Sequence, residues 1–161
     1  MKTYHVDGGA RIEPPNYKPH DSYITIVDDK NKLIHHSKIG DVWSFIAEFY
    51  SIKWVVDNVK KRPLRITSDC TTAISWSQKG SSPKSSFQTP PLNLTDITLE
   101  YQHNNLADQY NARFVSPKYD KAYYVQRWLE TGKKSKALRK LEARKSRIDP
   151  ERGGKQELKL F

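Results

Sequence analysis

Leu64-Arg65-Ile66-Thr67-Ser68-Asp69-Cys70-Thr71-Thr72-Ala73-Ile74-Ser75-Trp76 is the stretch that decides how this chain is organised. Residues 64–69 alternate apolar and polar side chains and read as a strand, and residues 71–78 read as a short helix closed by Gly80. Immediately ahead, Phe45, Phe49, Ile52, Val55, Val56 and Val59 recur at helical spacing and make an inward stripe. They predict a helix from Asp41, a fitting N-cap after Gly40, to Lys61. There Lys60-Lys61-Arg62 suits the negative end of the dipole and Pro63 stops propagation. A strand, a long crossover and another strand imply parallel pairing.

Upstream the pattern is antiparallel. Tyr4-His5-Val6-Asp7 predicts a first strand stopped by Gly8-Gly9, and residues 11–20, with three prolines, read as a loop. Residues 22–27 and 32–39 are two strands joined by the polar turn Asp28-Asp29-Lys30-Asn31. Downstream, Ser81 to Thr95 holds four serines and three prolines and predicts a loop or linker. A fifth strand is predicted over 97–101, then helices over 105–113 and 119–131. The expected class is α/β, a mixed five-stranded sheet flanked by helices over residues 1–116. A basic helical extension over 117–152 and a flexible tail over 153–161 follow.

The length of 161 residues suits one domain plus an appendage. No apolar run approaches the roughly 20 residues that cross a bilayer, so neither a membrane span nor a membrane partner is expected. A single cysteine, Cys70, excludes an internal disulfide and any metal site built on several thiolates. The net charge of +10 argues for a polyanionic partner, either nucleic acid or an acidic membrane surface, and nucleic acid is the one expected. Residues 117–161 hold 14 basic and 6 acidic side chains, and residues 1–116 hold 14 and 12, so most of the excess lies at the C-terminus.

Carboxylates occupy unexpected places. Glu48 lies on the inward stripe between Phe45, Phe49 and Ile52, where an ionised group is costly unless paired or bound to metal. Asp7 and Asp69 each end a strand expected to be central, where the carboxyl ends of parallel strands form ligand sites. Asp108 enters from the first turn of the helix after the fifth strand. Singly, each of the aspartates has a plain structural role: Asp7 in a strand-ending turn, Asp69 as a helix cap, Asp108 favouring a helix start. Together they would repel one another unless cations intervene, and hard oxygen ligands select Mg²⁺ or Mn²⁺. Two such ions, about 3.5–4 Å apart, serve phosphoryl displacement.

Val6-Asp7-Gly8-Gly9-Ala10-Arg11, Ala47-Glu48-Phe49, Thr67-Ser68-Asp69 with Ala73-Ile74-Ser75-Trp76, and Asn104-Asn105-Leu106-Ala107-Asp108 resemble, in order and spacing, the four acidic motifs of type 1 ribonuclease H. The resemblance spans about residues 3–113 and implies a ribonuclease H-like fold. Its implied activity is two-metal hydrolysis of the RNA strand of an RNA–DNA hybrid, leaving 5′-phosphate ends, in replication or repair. By the same resemblance Asp7 bridges both ions, Asp108 helps hold the one that activates water, and Glu48 and Asp69 hold the other. His103 stands in for a mobile histidine. Other readings are a non-catalytic nucleic-acid-binding module of this fold, or a related nuclease acting on structured RNA or DNA. The second is motivated by Ser44-Phe45-Ile46, where many members carry an Asn pair.

Residues 79–96 are too short and too rich in Pro and Ser for the basic protrusion some members use. Lys133, Lys134, Lys136, Arg139, Lys140, Arg144, Lys145 and Arg147, with Arg11, are therefore the expected phosphate contacts. Gln156-Glu157-Leu158-Lys159-Leu160-Phe161 follows Gly153-Gly154 and looks like the C-terminal peptides that dock bacterial and phage replication enzymes on the sliding clamp. Leu158, Leu160 and Phe161 would be its anchors. The expectation is a cytoplasmic monomer in a bacterial or phage-infected cell.

Overall fold

The structure, a computed structural model, describes residues 1–12, 16–114 and 121–147. Five strands, β1 (Lys2–Ile12), β2 (Pro19–Asp28), β3 (Leu33–Gly40), β4 (Leu64–Ser68) and β5 (Ile97–Tyr101), form one sheet in the order β3-β2-β1-β4-β5. β1 pairs antiparallel with β2 and parallel with β4; β2–β3 is antiparallel and β4–β5 parallel. The helix α1 (Ser44–Asn58) is the crossover into β4, and α2 (Thr71–Lys79) and α3 (Leu106–Phe114) follow β4 and β5. The sheet is mixed and five-stranded, flanked by helices, as the pattern implies. Two further helices, α4 (Lys121–Thr131) and α5 (Lys136–Arg147), complete the described chain.

The core lies between α1 and the sheet face that carries Tyr4, Val6, Ile24, Ile26, Leu64 and Ile66, with Phe49, Ile52, Val55 and Val56 as the helix's contribution. The other face of β1 and β2 is covered by α3, whose Ala107 and Asn111 are buried.

Three local readings are corrected. First, β1 does not stop at Asp7 but runs through Gly8-Gly9 to Ile12. A Cβ on Gly8 would stand 2.4 Å from the Ala47 carbonyl carbon, and one on Gly9 would stand 2.5 Å from the Tyr23 hydroxyl. These glycines mark close approach inside a strand, not its end.

Second, α1 starts at Ser44, because Asp41 is engaged elsewhere: its Oδ1 accepts the Asp21 amide at 3.0 Å. Trp43 takes the cap position without a side-chain bond. Phe45, assigned to the inward stripe, is 40% exposed and meets Trp76 edge to face at 5.6 Å.

Third, the Ser/Pro-rich segment is more than a linker. Phe87 packs against Phe49, Tyr50 and Trp76, and Leu92 and Leu94 lie against the same core.

Candidate functional site

The last β1–β4 pair is His5 with Thr67, and Asp7 and Asp69 each stand two residues beyond it. Parallel strands therefore carry both acids past the end of one ladder, on neighbouring strands. α1 supplies the third. Because Gly8 lacks a side chain, the backbone at Ala47 and Glu48 presses directly on β1, and this contact delivers Glu48 to the same spot. One carboxylate oxygen from each of Asp7, Glu48 and Asp69 lies within 4.8 Å of the others. Asp7 is 1% and Glu48 3% exposed, so water screens their charge weakly. An all-carboxylate donor set of this kind fits a hard divalent cation, whose charge offsets the mutual repulsion of the three acids.

Asp69 is not the cap of α2. That position belongs to Cys70, whose Sγ accepts the Ala73 amide at 3.4 Å. Asp108 is half-buried in the first turn of α3 and does not join the close group of three. His103 is exposed between β5 and α3, outside that group.

Two asparagines hold this arrangement. Asn105 is fully buried, and its Nδ2 donates to the main-chain carbonyls of Val6 at 3.1 Å and Thr67 at 3.0 Å. It thus ties β1 to β4 just ahead of their acids. Its Oδ1 accepts the Asp108 amide at 3.0 Å and caps α3. Asn111, one turn along α3 from Asp108, donates to Asp7 Oδ2 at 2.7 Å. Asn105 lies in the Asn104–Asp108 motif at the first position of the helix predicted over 105–113, and an asparagine at a helix start is the signal for a cap. Asn111 shares a helix face with Asp108, and that spacing was the only hint of it.

Among the expected phosphate contacts, Arg11 is half-buried at the end of β1, and Lys133, Lys136, Arg139 and Lys140 are exposed. Lys134 is engaged within the extension, with its Nζ 4.5 Å from the Trp128 ring centre and 3.2 Å from Glu142. The side chains of Arg144, Lys145 and Arg147 fall outside the described residues, as do Leu158, Leu160 and Phe161 altogether. Among the described residues no helix is long and apolar enough to cross a membrane.

A mixed sheet in this order, with α1 as crossover and helices on it, is a ribonuclease H-like fold. No family model matches the chain, and no curated protein does. Solved structures similar to it include LC11-RNase H1 in complex with an RNA/DNA hybrid, at 14% identity and TM-score 0.42, covering 68% of this chain and 92% of that one. The foamy viral protease-reverse transcriptase in complex with dsDNA is similar at 23% identity and TM-score 0.44, over 67% of this chain and 89% of that one. The PFV RNase H domain is similar at 15% identity and TM-score 0.42, over 67% and 90%.

Proposed function

We propose that this chain is a metal-dependent endonuclease that hydrolyses the RNA strand of RNA–DNA hybrids. The observation that carries the reading is the convergence of Asp7, Glu48 and Asp69, from a strand, a helix and a strand end, within 4.8 Å. A charge-repelling group held this close by three separate elements costs stability, which function must justify. These three, with Asp108 from α3, would hold two Mg²⁺ or Mn²⁺ ions. When bound, such ions supply an activated water and charge compensation at the phosphate. The protein's own part is orientation. Asn111 holds Asp7 by a hydrogen bond, Asn105 locks the two strands that carry Asp7 and Asp69, and burial of Glu48 keeps solvent from its carboxylate. His103, exposed on the loop before α3, is the candidate for proton handling or product release. Residues 1–116 form the catalytic domain in this reading. Arg11 and the basic side chains of 133–147 hold the polyanion, and Leu158, Leu160 and Phe161 dock a sliding clamp.

A second reading, cleavage of structured RNA or DNA, is favoured by one observation. Phe45, one turn ahead of Glu48 on α1 where many ribonucleases H carry an Asn pair, is exposed and offers an apolar ring in place of an amide.

The test incubates the full chain with labelled RNA–DNA hybrid, duplex RNA and duplex DNA, each with Mg²⁺, Mn²⁺ or chelator. Metal-dependent cleavage of hybrid alone is the expected outcome. Preference for either duplex selects the second reading, and binding without cleavage of any of them overturns both.

A further inference from the structure

Behind Asp7 a row of polar side chains crosses the sheet. The β1–β2 register sets Asp7 opposite Thr25, and the β2–β3 register sets Thr25 opposite His36, so all three share one face. Asn111 of α3 lies over this row. Its Nδ2 donates to Asp7 Oδ2 at 2.7 Å, and its Oδ1 accepts from Thr25 Oγ1 at 2.8 Å. Thr25 has one hydroxyl proton, and Asn111 receives it. The 2.8 Å contact between Thr25 Oγ1 and His36 Nδ1 is then donated by the imidazole. Donation runs one way, from His36 to Thr25 to Asn111 to Asp7. Thr25 is fully buried and Asn111 is 6% exposed, so water does not readily substitute for the links from Thr25 through Asn111 to Asp7.

The direction matters for Asp7. A carboxylate turns easily about its last torsion, whereas a metal site needs a fixed oxygen presented to it. Asn111 can donate toward Asp7 only while its amide keeps the orientation that the Thr25 hydroxyl, by donating to Oδ1, favours. An amide turned over would set its oxygen against the Asp7 carboxylate and take away the acceptor to which the Thr25 hydroxyl donates.

We propose that Asn111, aimed by Thr25 and His36, is a positioning residue for Asp7, so that the divalent-metal affinity of the Asp7–Glu48–Asp69 group is set in part from β3. The inference rests on the metal-dependent reading of the site. A merely structural row would contribute stability and leave metal affinity unchanged in the folded protein.

The experiment titrates Mn²⁺ into the full chain by calorimetry without nucleic acid, and records thermal melts in chelator. The variants are Asn111→Leu, Thr25→Val and Thr25→Ser. Removing the groups that orient a metal ligand weakens affinity by about ten- to hundredfold. Asn111→Leu should fall in that range and Thr25→Val at its lower end. Thr25→Ser, which keeps the hydroxyl, should bind within about twofold of the wild type on the same argument. Wild-type affinity in a cooperatively folded Thr25→Val or Asn111→Leu variant overturns the proposal, as does a Thr25→Ser variant as weak as Thr25→Val. If Asn111→Leu does not fold, Thr25→Val decides, since it preserves shape. A wild type that binds Mn²⁺ yet leaves hybrid intact overturns the nuclease reading, while the affinities still judge this one. A wild type that binds no Mn²⁺ overturns both.

Discussion

Gly8 lies against Ala47 so closely that a Cβ on the glycine would come 2.4 Å from the Ala47 carbonyl carbon and 2.6 Å from its oxygen. Both are backbone atoms of α1, so nothing flexible can yield. Gly8→Ala must push the helix from the strand, and Glu48 with it. Overpacking of this kind costs about 1–3 kcal/mol, and the displacement falls on the site. The expected result is a lower urea midpoint with cleavage lost well beyond what the unfolded fraction explains. Unchanged activity in the folded variant would separate the helix position from the chemistry.

The three carboxylates make metal removal and charge removal opposite experiments. Asp7→Asn, Glu48→Gln and Asp69→Asn each delete one negative charge at nearly constant volume, and Asn at position 7 still accepts from Asn111. In chelator each variant should therefore melt at or above the wild-type temperature, by about 1 kcal/mol of relieved repulsion. Mg²⁺ should raise the melting temperature of the wild type and fail to raise that of the variants, because ligand stabilisation scales with occupancy. Hybrid cleavage should be abolished in all three. A variant that loses stability in chelator would show that its charge is compensated by the protein itself.

What the sequence disclosed followed from local pattern. The β5 strand and the α2 helix stand where alternation and helical spacing put them, and Glu48 betrayed itself as a charge among Phe45, Phe49 and Ile52. Gly8-Gly9 misled because a glycine pair reads locally as a break, whereas Gly8 answers to the backbone of a helix some forty residues away and Gly9 to the Tyr23 side chain on β2. Phe45 misled because it lies in the first turn of α1, where helical spacing alone does not tell an inward position from one that packs at the edge against Trp76. Asn105 was readable only as a helix cap, and Asn111 not at all, since only the docking of α3 against β1 and β2 gives their amide nitrogens partners.

The imidazole of His36 supplies a pH signature. Burial, with a contribution from His35, lowers its pKa to about 4, and burial also lowers that of His35. An unfolded histidine takes its proton near pH 6.5. Between these values the unfolded state binds more protons, so this contribution to stability is complete above about pH 6.5 and is lost as the pH falls toward 4. The slope is at most about 1.4 kcal/mol per pH unit for each such group. Asp28 acts lower. Burial works to raise it, but the Lys32 and Lys30 amides and the charges of Lys2 and Lys32 outweigh this and hold it below its usual value. Its stabilisation is present above the ordinary carboxylate range and is lost at more acid pH. Urea titrations at pH 7, 6 and 5 should show a shallower decline for His36→Gln than for the wild type.

Electrostatic contact with the polyanion can be counted. Lys133, Lys136, Arg139 and Lys140 are exposed. Each phosphate neutralised steepens the dependence of log affinity on log salt by about 0.9 on duplex DNA. Replacing all four by Gln should flatten the slope by up to about 3 to 4 units while the melting temperature stays near wild type. Lys134 is left in place because its contacts with Trp128 and Glu142 bind it into the extension. An unchanged slope would remove this face from the nucleic-acid interface.

Asn105 distinguishes donation from capping. Its amide nitrogen serves the carbonyls of Val6 and Thr67, and its oxygen serves the amide of Asp108. Asn105→Ala removes all of these and leaves buried carbonyls without their donor, at about 1–3 kcal/mol for a lost buried partner and about 1 kcal/mol for the cap. Asn105→Asp keeps the cap but has no proton to donate at neutral pH, and it adds a buried negative charge facing two carbonyl oxygens near three further carboxylates. If the strand tie dominates, Asp is worse than Ala despite its excellence as a cap. If capping dominates, Asp is the milder change. Urea denaturation of both variants in chelator ranks them, and the expected order is wild type above Ala above Asp.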